Sequence, residues 1–416
     1  MSATPPAELD IEAIRAHFPA LKRRLGGRVI AYFDGPGGSQ VPAGVIAAVA
    51  GYLVSSNANS GGEFVSSRET DAILSEAHRA AADLVGGEPD EIAFGANMTT
   101  LNFLLSHAVA RILEPGDEVI VTQLDHDANV SPWFRAAEDR GLVIRIAPIS
   151  ADGSLDVKTL EALIGERTRV VAYTLASNAL DNITDSPRIA AAAHRVGALA
   201  WADGVHLAPH RRLDRAQLDA DVLLCSPYKF FGPHLGLASI RRDLARSLPA
   251  DRVRAADSEP PGHRFETGTL SHEAVAGTIA AIDYLAGLAG TDGERRGRLD
   301  RGFAAIRAHE DDLTRRLLGA IASIDRLRLH GISDPDRVGE RTPTFLIEIE
   351  GKTPQQLAAG LGERGMFAWH GHFYALGPMR ALGLGERGGL RVGFLHYTSA
   401  EEVDDLAVAL SALASA

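Results

Sequence analysis

The chain has 416 residues, 45% of them hydrophobic and 23% charged, an ordinary globular balance with room for a large domain, a smaller one and an extensive core. Its net charge of -12 argues against a general affinity for nucleic acid or for an anionic membrane surface. A single cysteine, Cys225, excludes an intramolecular disulfide framework and a cysteine-based metal cluster and fits a reducing compartment.

The opening stretch, "MSATPPAELDIEAIRAHFPALKRR", has no apolar leader region, and no run of about 20 apolar residues follows anywhere. The expectation is a cytoplasmic protein that does not cross a membrane. Ile11, Ile14, His17, Phe18 and Leu21 fall on one helical face and predict a short amphipathic helix within an N-terminal segment, residues 1–27.

From residue 28 to 265 short apolar runs alternate with helical patterns. "EIAF" (91–94) precedes "TTLNFLLSHAVARIL", "DEVIVTQ" (117–123) precedes "SPWFRAAEDRG", and "RVVAYTL" (169–175) precedes "PRIAAAAHRVG". "ALAWAD" (198–203) and "DVLLCS" (221–226) complete the set. Continuous apolar strands separated by helices predict an α/β domain with a mostly parallel sheet covered on both faces. Ligands of such sheets bind beyond the carboxyl ends of the strands. From about 266 to 416 the rhythm changes to long connecting helices, "SHEAVAGTIAAIDYLAGLAG" and about 293–321, and a smaller α+β domain with "TFLIEIE", "TPQQLAAGLGERG", "LRVGFLHY" and a closing helix from Ser399. There is no internal repeat.

Polar residues follow every strand of the large domain. "FGANMTT" opens a helix with Asn97 and Thr99, whose start can cradle a phosphate, although capping needs the same residues. "LDHDANVSPW" places His126 at the sheet edge, "ASNALDNITD" brings Asn178, and "ADGVH" brings Asp203 and His206. "SPYK" brings Lys229, one of four lysines in the chain, the others being Lys22, Lys158 and Lys352. Arginine carries nearly all the positive charge, so a lysine at the end of a buried strand points to the chemistry of a free amine, which a guanidinium lacks. Each residue has a plainer reading as a cap or an ion-pair partner. Together they match what pyridoxal phosphate requires: an amine for its aldehyde, a carboxylate for its pyridine nitrogen, a stacking plane, and donors for its phosphate.

The chain resembles the class V aminotransferase family of pyridoxal-phosphate enzymes, in its cysteine desulfurase and selenocysteine lyase branch, from "YFDGPGGSQVP" (32–42) to "LRVGFLHYTSAEEVDDL". The segments that carry the resemblance are "LDHDANVSPW", "SNALDNIT", "WADGVHLAPH" and "CSPYKFFGPHLG". It implies the fold type I architecture of pyridoxal-phosphate-dependent transferases and a homodimer with a shared active site. It implies Lys229 as the lysine that binds the aldehyde, Asp203 as partner of the pyridine nitrogen, and His126 as the stacked imidazole. Asn178 and His206 would lie near the ring hydroxyl, with His206 where relatives often place glutamine. Asn97, Met98 (through its backbone) and Thr99 would hold the phosphate. Ser226 and Tyr228 flank the lysine, and Thr269 would reach the phosphate across the dimer interface. Arg391 would clamp the carboxylate of an amino-acid substrate.

Two departures from the family are visible. The loop "WHGHFYALGP" places Tyr374 where desulfurases carry a sulfur-accepting cysteine, and Ser60 and Gly61 stand at positions that are often basic. Cys225, on a strand, reads as packing. His370 and His372 have no acid or cysteine at ligand spacing, so no metal is expected, and they are assigned to the substrate entrance beside the apolar walls Trp369 and Phe373. The expected activity is a desulfurase-like C–S lyase working by β-elimination; transamination and epimerisation use the same residues. A nicotinamide-dependent oxidoreductase is disfavoured because no G-x-G-x-x-G follows the first strand. A catalytically silent interaction protein would have no need for Lys229, Asp203 and Arg391 together.

Overall fold

A computed structural model describes residues 6–150 and 152–416. Seven strands form the central sheet: β1 (Ile92–Gly95), β2 (Glu118–Thr122), β3 (Val143–Ala147), β4 (Thr168–Thr174), β5 (Leu199–Asp203), β6 (Val222–Cys225) and β7 (Gly236–Ile240). Their order is β1-β7-β6-β5-β4-β2-β3, parallel throughout except for β7, which runs antiparallel to both neighbours. Side chains alternate between two cores. Ile120, Val171, Tyr173, Ala202, Leu223 and Cys225 point into one, and Val119, Val121, Val170, Ala172, Trp201, Val222 and Leu224 into the other. Burial on both faces is the reason these strands are apolar throughout rather than alternating.

Two strands of this sheet were not expected from the sequence. β3 lies at the sheet edge and carries Arg145, whose guanidinium reaches Glu118 at 2.7 Å. β7, "GLASI", opens on a glycine with no room for a side chain: a Cβ on Gly236 would lie 2.3 Å from the carbonyl carbon of Asn97. The expected N-terminal helix is also shorter. It spans Ile11–Ala16, and a separate 3₁₀ turn, Pro19–Lys22, follows. Proline lacks the N–H that would continue the helix, and Phe18 is buried edge-on against Tyr397, Tyr284 and Phe231.

The second sheet is antiparallel, with strands β8 (Leu327–His330), β9 (Thr344–Ile349), β10 (Trp369–Gly371) and β11 (Gly389–Gly393) in the order β8-β9-β11-β10. Helices Arg295–Ile321, Pro354–Gly362 and Ala400–Ser415 cover it through one apolar cluster. Ala31–Tyr32 runs parallel to Met366–Phe367, and Ala31 and Phe33 belong to that cluster, so the residues just after 28 pack with the C-terminal part of the chain. Among the described residues no helix is long and apolar enough to cross a membrane.

The two parts are stitched beside the ends of β4 and β5. In the segment after β4, the Asp181 carbonyl accepts the Thr342 N–H at 2.9 Å, and Ile183 N–H donates to the Glu340 carbonyl at 2.9 Å. Arg341 and Asp181, both fully buried, form an ion pair at 2.9 Å, and the guanidinium lies 4.4 Å over the Phe345 ring. Removing one partner strands a charge in a low dielectric. Arg341→Met is expected to lower unfolding free energy by about 3–5 kcal/mol in denaturant melts; a loss below about 1 kcal/mol would show that the pair is not a structural tie.

Candidate active site

The sheet topology brings the ends of β4, β5 and β6 to one side, together with the loops after β1 and β2. They surround a cavity with about 560 Å³ of empty space. It is bordered by Asn97, Met98, Thr99, His126 and Asn178, and by Asp203, His206, Ser226, Tyr228 and Lys229. An outer cavity of about 1430 Å³ shares Lys229, His126 and Asn178 and adds Pro36, Gly37, Trp369, Phe373, Tyr374 and Arg391.

Lys229 sits in the 3₁₀ turn Pro227–Lys229 directly after β6. It is 8% exposed. Its Nζ donates to the Pro36 carbonyl, brought over by the turn Gly35–Gly37. Burial and the nearby Arg391 guanidinium push the amine down to about 7, against the opposing pull of Asp203 and Asp34. At neutral pH a large share of this lysine is therefore the free base.

Asp203 closes β5 and accepts the Val205 N–H at 2.8 Å; burial raises its carboxyl to about 6, with Lys229 holding it back. A cationic ring nitrogen beside it would favour the ionised form further. His126 accepts the Ala128 N–H on Nδ1 at 3.0 Å, which leaves the proton on Nε2. Burial, then Lys229 and Arg391, pull the imidazole down to about 4, so it is a neutral plane at physiological pH. His206, also driven well down by burial, contacts Thr344 Oγ1 at 3.0 Å and Thr342 Oγ1 at 3.2 Å through Nε2.

The cradle forms at the start of the helix Met98–Ala110. Asn97 caps it by accepting the Thr100 N–H at 2.8 Å, and Ser226 Oγ accepts the Met98 N–H at 3.3 Å. The exposed first turn retains donors for an anion.

Arg391, on β11, is 5% exposed; it donates to the Asn178 carbonyl at 2.8 Å, and its guanidinium lies 4.2 Å over the Phe373 ring. Burial lowers it to about 9. Asn178 Nδ2 in turn donates to the Phe373 carbonyl at 2.9 Å, and Asp127 N–H donates to the Tyr374 carbonyl at 2.8 Å. Phe373 and Tyr374 both have left-handed backbones, φ 55° at each, so this loop is pinned in a conformation that costs bulky residues energy. The Tyr374 ring lies 5.5 Å from the His126 ring.

Two expected residues lie elsewhere. His372 does not border either cavity: its Nδ1 accepts the Tyr374 N–H at 3.1 Å, and its other nitrogen faces Glu386. The side chain therefore shapes the loop instead of lining the substrate entrance. Thr269 is exposed and also borders neither cavity. Sequence reasoning missed Asp34, whose carboxyl is lifted to about 6 by burial beside Arg391 and Lys229, and whose Oδ1 is buried without a partner. It missed Asp125 as well, raised to about 8 by burial and accepting a hydrogen bond from Asn129 Nδ2 at 2.7 Å. The only signal for Asp34 was its place in "YFDGPGG".

The residues present fit pyridoxal phosphate. A partly deprotonated amine, a buried carboxylate and a neutral imidazole share one cavity with a helix-start cradle. Asn178 Oδ1, which is buried and unpaired, supplies an acceptor suited to a ring hydroxyl.

Residues 31–406 match the aminotransferase class-V family. The chain is 32% identical to an aminotransferase-like protein, FGM3, of Gibberella zeae over 97% of this chain and 98% of that one. It is 29% identical to a cysteine desulfurase of Pectobacterium carotovorum over 96% and 97%. Its fold superposes on the apo structure of a cysteine desulfurase from Thermococcus onnurineus with a TM-score of 0.87 and 24% identity, covering 99% of this chain and 100% of that chain. With the strand order, the buried amine and the match over nearly its whole length, the chain belongs to the aminotransferase class-V family and is a pyridoxal-phosphate-dependent enzyme.

Proposed function

We propose that the protein is a cysteine desulfurase-like C–S lyase that removes sulfur from Cβ of a cysteine-type amino acid by β-elimination, without lodging it on a cysteine of its own. One observation carries the reading. Cys225, the only cysteine, is fully buried on β6, and burial pushes its thiol far above the range in which it would ionise. The family resemblance sets Tyr374 at the loop position where desulfurases carry a sulfur acceptor.

Bound pyridoxal phosphate supplies an aldehyde that combines with amines and a protonated ring that withdraws electrons from Cα. Lys229 would hold the aldehyde and, when released from it, take the Cα proton on Nζ; an amine with a value near 7 suits that exchange. Asp203 would keep the ring nitrogen protonated, His126 would cover the ring face, and the first turn after Asn97 would hold the phosphate. Arg391 would bind the substrate carboxylate, held for it by Asn178 and Phe373. The C–S bond electrons leave with sulfur as thiolate, which takes a proton. The remaining fragment is hydrolysed to keto acid and ammonia, so cysteine and water give pyruvate, ammonia and sulfide.

The dimer supplies the role of Thr269. Its exposed segment, and the uncharged helix Ala43–Ser55 with Ile46, Leu53 and Val54 turned outward, support pairing with a second copy. A cytoplasmic location suits the single unpaired thiol.

With L-cysteine the expected products are pyruvate, ammonia and sulfide in equal amounts, unchanged within about twofold in Cys225→Ala, a volume change well below that of a large core truncation. Alanine in place of pyruvate would overturn elimination, and a requirement for an acceptor keto acid would favour transamination. Uptake of pyridoxal phosphate by the apoprotein, followed by its visible absorbance, should rise with pH through a midpoint near 7, since Lys229 is depressed from 10.5. Between those values the unfolded chain holds the extra proton, so this residue also makes the apoprotein more stable as pH rises through that window. A midpoint near 10 would mean a solvated amine. Sedimentation should show a dimer, and mixing Thr269→Ala with Lys229→Ala chains should restore about a quarter to a half of activity in mixed dimers if the residue acts across the interface.

A further inference from the structure

A second cluster of ligating side chains lies outside both cavities. His78 is on the helix Val65–Val85, while His263 belongs to the 3₁₀ turn Gly262–Phe265 and Glu266 follows it. One ligand atom from each of the three lies within 4.8 Å of the other two. His78 is 4% exposed, whereas His263 and Glu266 reach partly to solvent, so the group has a buried floor and an open side.

The donors are held in place from behind. His78 Nδ1 is 2.7 Å from the Leu74 carbonyl oxygen one turn back, so it carries the proton and turns Nε2 toward the cluster. Nε2 faces Glu266 Oε1 at 2.9 Å, and the same oxygen accepts the Phe94 N–H at 2.9 Å. The Phe94 ring abuts His78 edge-on at 5.0 Å, and the His263 ring lies beside His78 at 3.8 Å, tilted by 35°. A histidine whose second nitrogen donates to a backbone carbonyl, next to a carboxylate that is itself hydrogen-bonded, is the outer-shell pattern of metal ligands. Two imidazole nitrogens and one carboxylate oxygen are a donor set that zinc accepts, with a fourth position left for water. Two atoms 2.9 Å apart can both lie about 2.0–2.2 Å from one ion. The one other acid that acts on His263, Asp90, is occupied by Arg242 at 2.6 and 2.8 Å.

We propose that His78, His263 and Glu266 form a binding site for a first-row divalent cation, best matched by Zn²⁺, at the base of the phosphate cradle. Phe94, which holds Glu266, lies on β1 three residues before Asn97, and Glu266 lies three residues before Thr269. An ion there braces the root of both segments, one serving its own protomer's cavity and the other extending to solvent. The site stands apart from the reaction chemistry, so it holds or fails independently of the C–S lyase reading. Without an ion, His78 Nε2 and Glu266 Oε1 form a direct hydrogen-bonded pair.

The holoprotein, stripped with a chelator, is titrated with Zn²⁺ alone against a chromogenic chelator, and separately with Co²⁺ for its visible spectrum. The expected result is one Zn²⁺ per chain, cobalt bands of a four-coordinate site, and a Tm raised by the metal. His263→Ala leaves the buried His78–Glu266 contact in place and should retain the cofactor absorbance. It should weaken binding by about tenfold or more and abolish both the cobalt bands and the rise in Tm. No stoichiometric binding, or equal binding by the wild-type chain and His263→Ala, would overturn the site and leave a hydrogen-bonded pair only.

Discussion

A buried amine that donates to a backbone carbonyl is the constraint from which the rest of this site follows. Lys229 Nζ donates to the Pro36 carbonyl, and the neighbouring Arg391 charge makes a second cation unwelcome. Water would let the lysine remain an ordinary solvated ammonium; the enclosure does not. The same low dielectric raises Asp203 and Asp34 and keeps His126 neutral. Burial thus brings the lysine and the two carboxyls toward the boundary between their two states and holds the imidazole clear of it.

That closure depends on packing far from the amine. β4, β5 and β6 hold their register because both faces are filled. Their ends then meet a second sheet whose strand β11 carries Arg391 inward. The interface between the two parts is polar around Arg341, which reaches the carbonyls of Thr342, Thr344 and Ile332 besides Asp181. Gly37 completes the wall: a Cβ there would meet Trp369 Nε1 at 3.0 Å. Gly35 and Gly37 at the approach let this turn and the second sheet come together over the lysine.

The central strands were legible because burial on both sides leaves an unbroken apolar run, as at Val119–Val121 and Leu223–Cys225. β3 was not, since an edge strand tolerates Arg145 in its middle. β7 was not, since it opens on Gly236, which has no room for a side chain and which, like Ala238, carries little strand propensity. The cavity residues could be gathered from sequence because topology alone sends the parallel strand ends to one place. Asp34 and Pro36 could not: they stand 195 and 193 positions from Lys229, and only the folded chain returns them to it. His372 misled because a histidine in a loop near the entrance carries no mark that tells a wall from a prop for its own backbone.

The loop at Phe373 and Tyr374 has its carbonyls claimed by Asn178 and Asp127 and its aromatic face spread over Arg391. Two consecutive carbonyls thus rivet the rim of the outer cavity to the strand-end loops behind it, so the doorway and the guanidinium beneath it keep one geometry together.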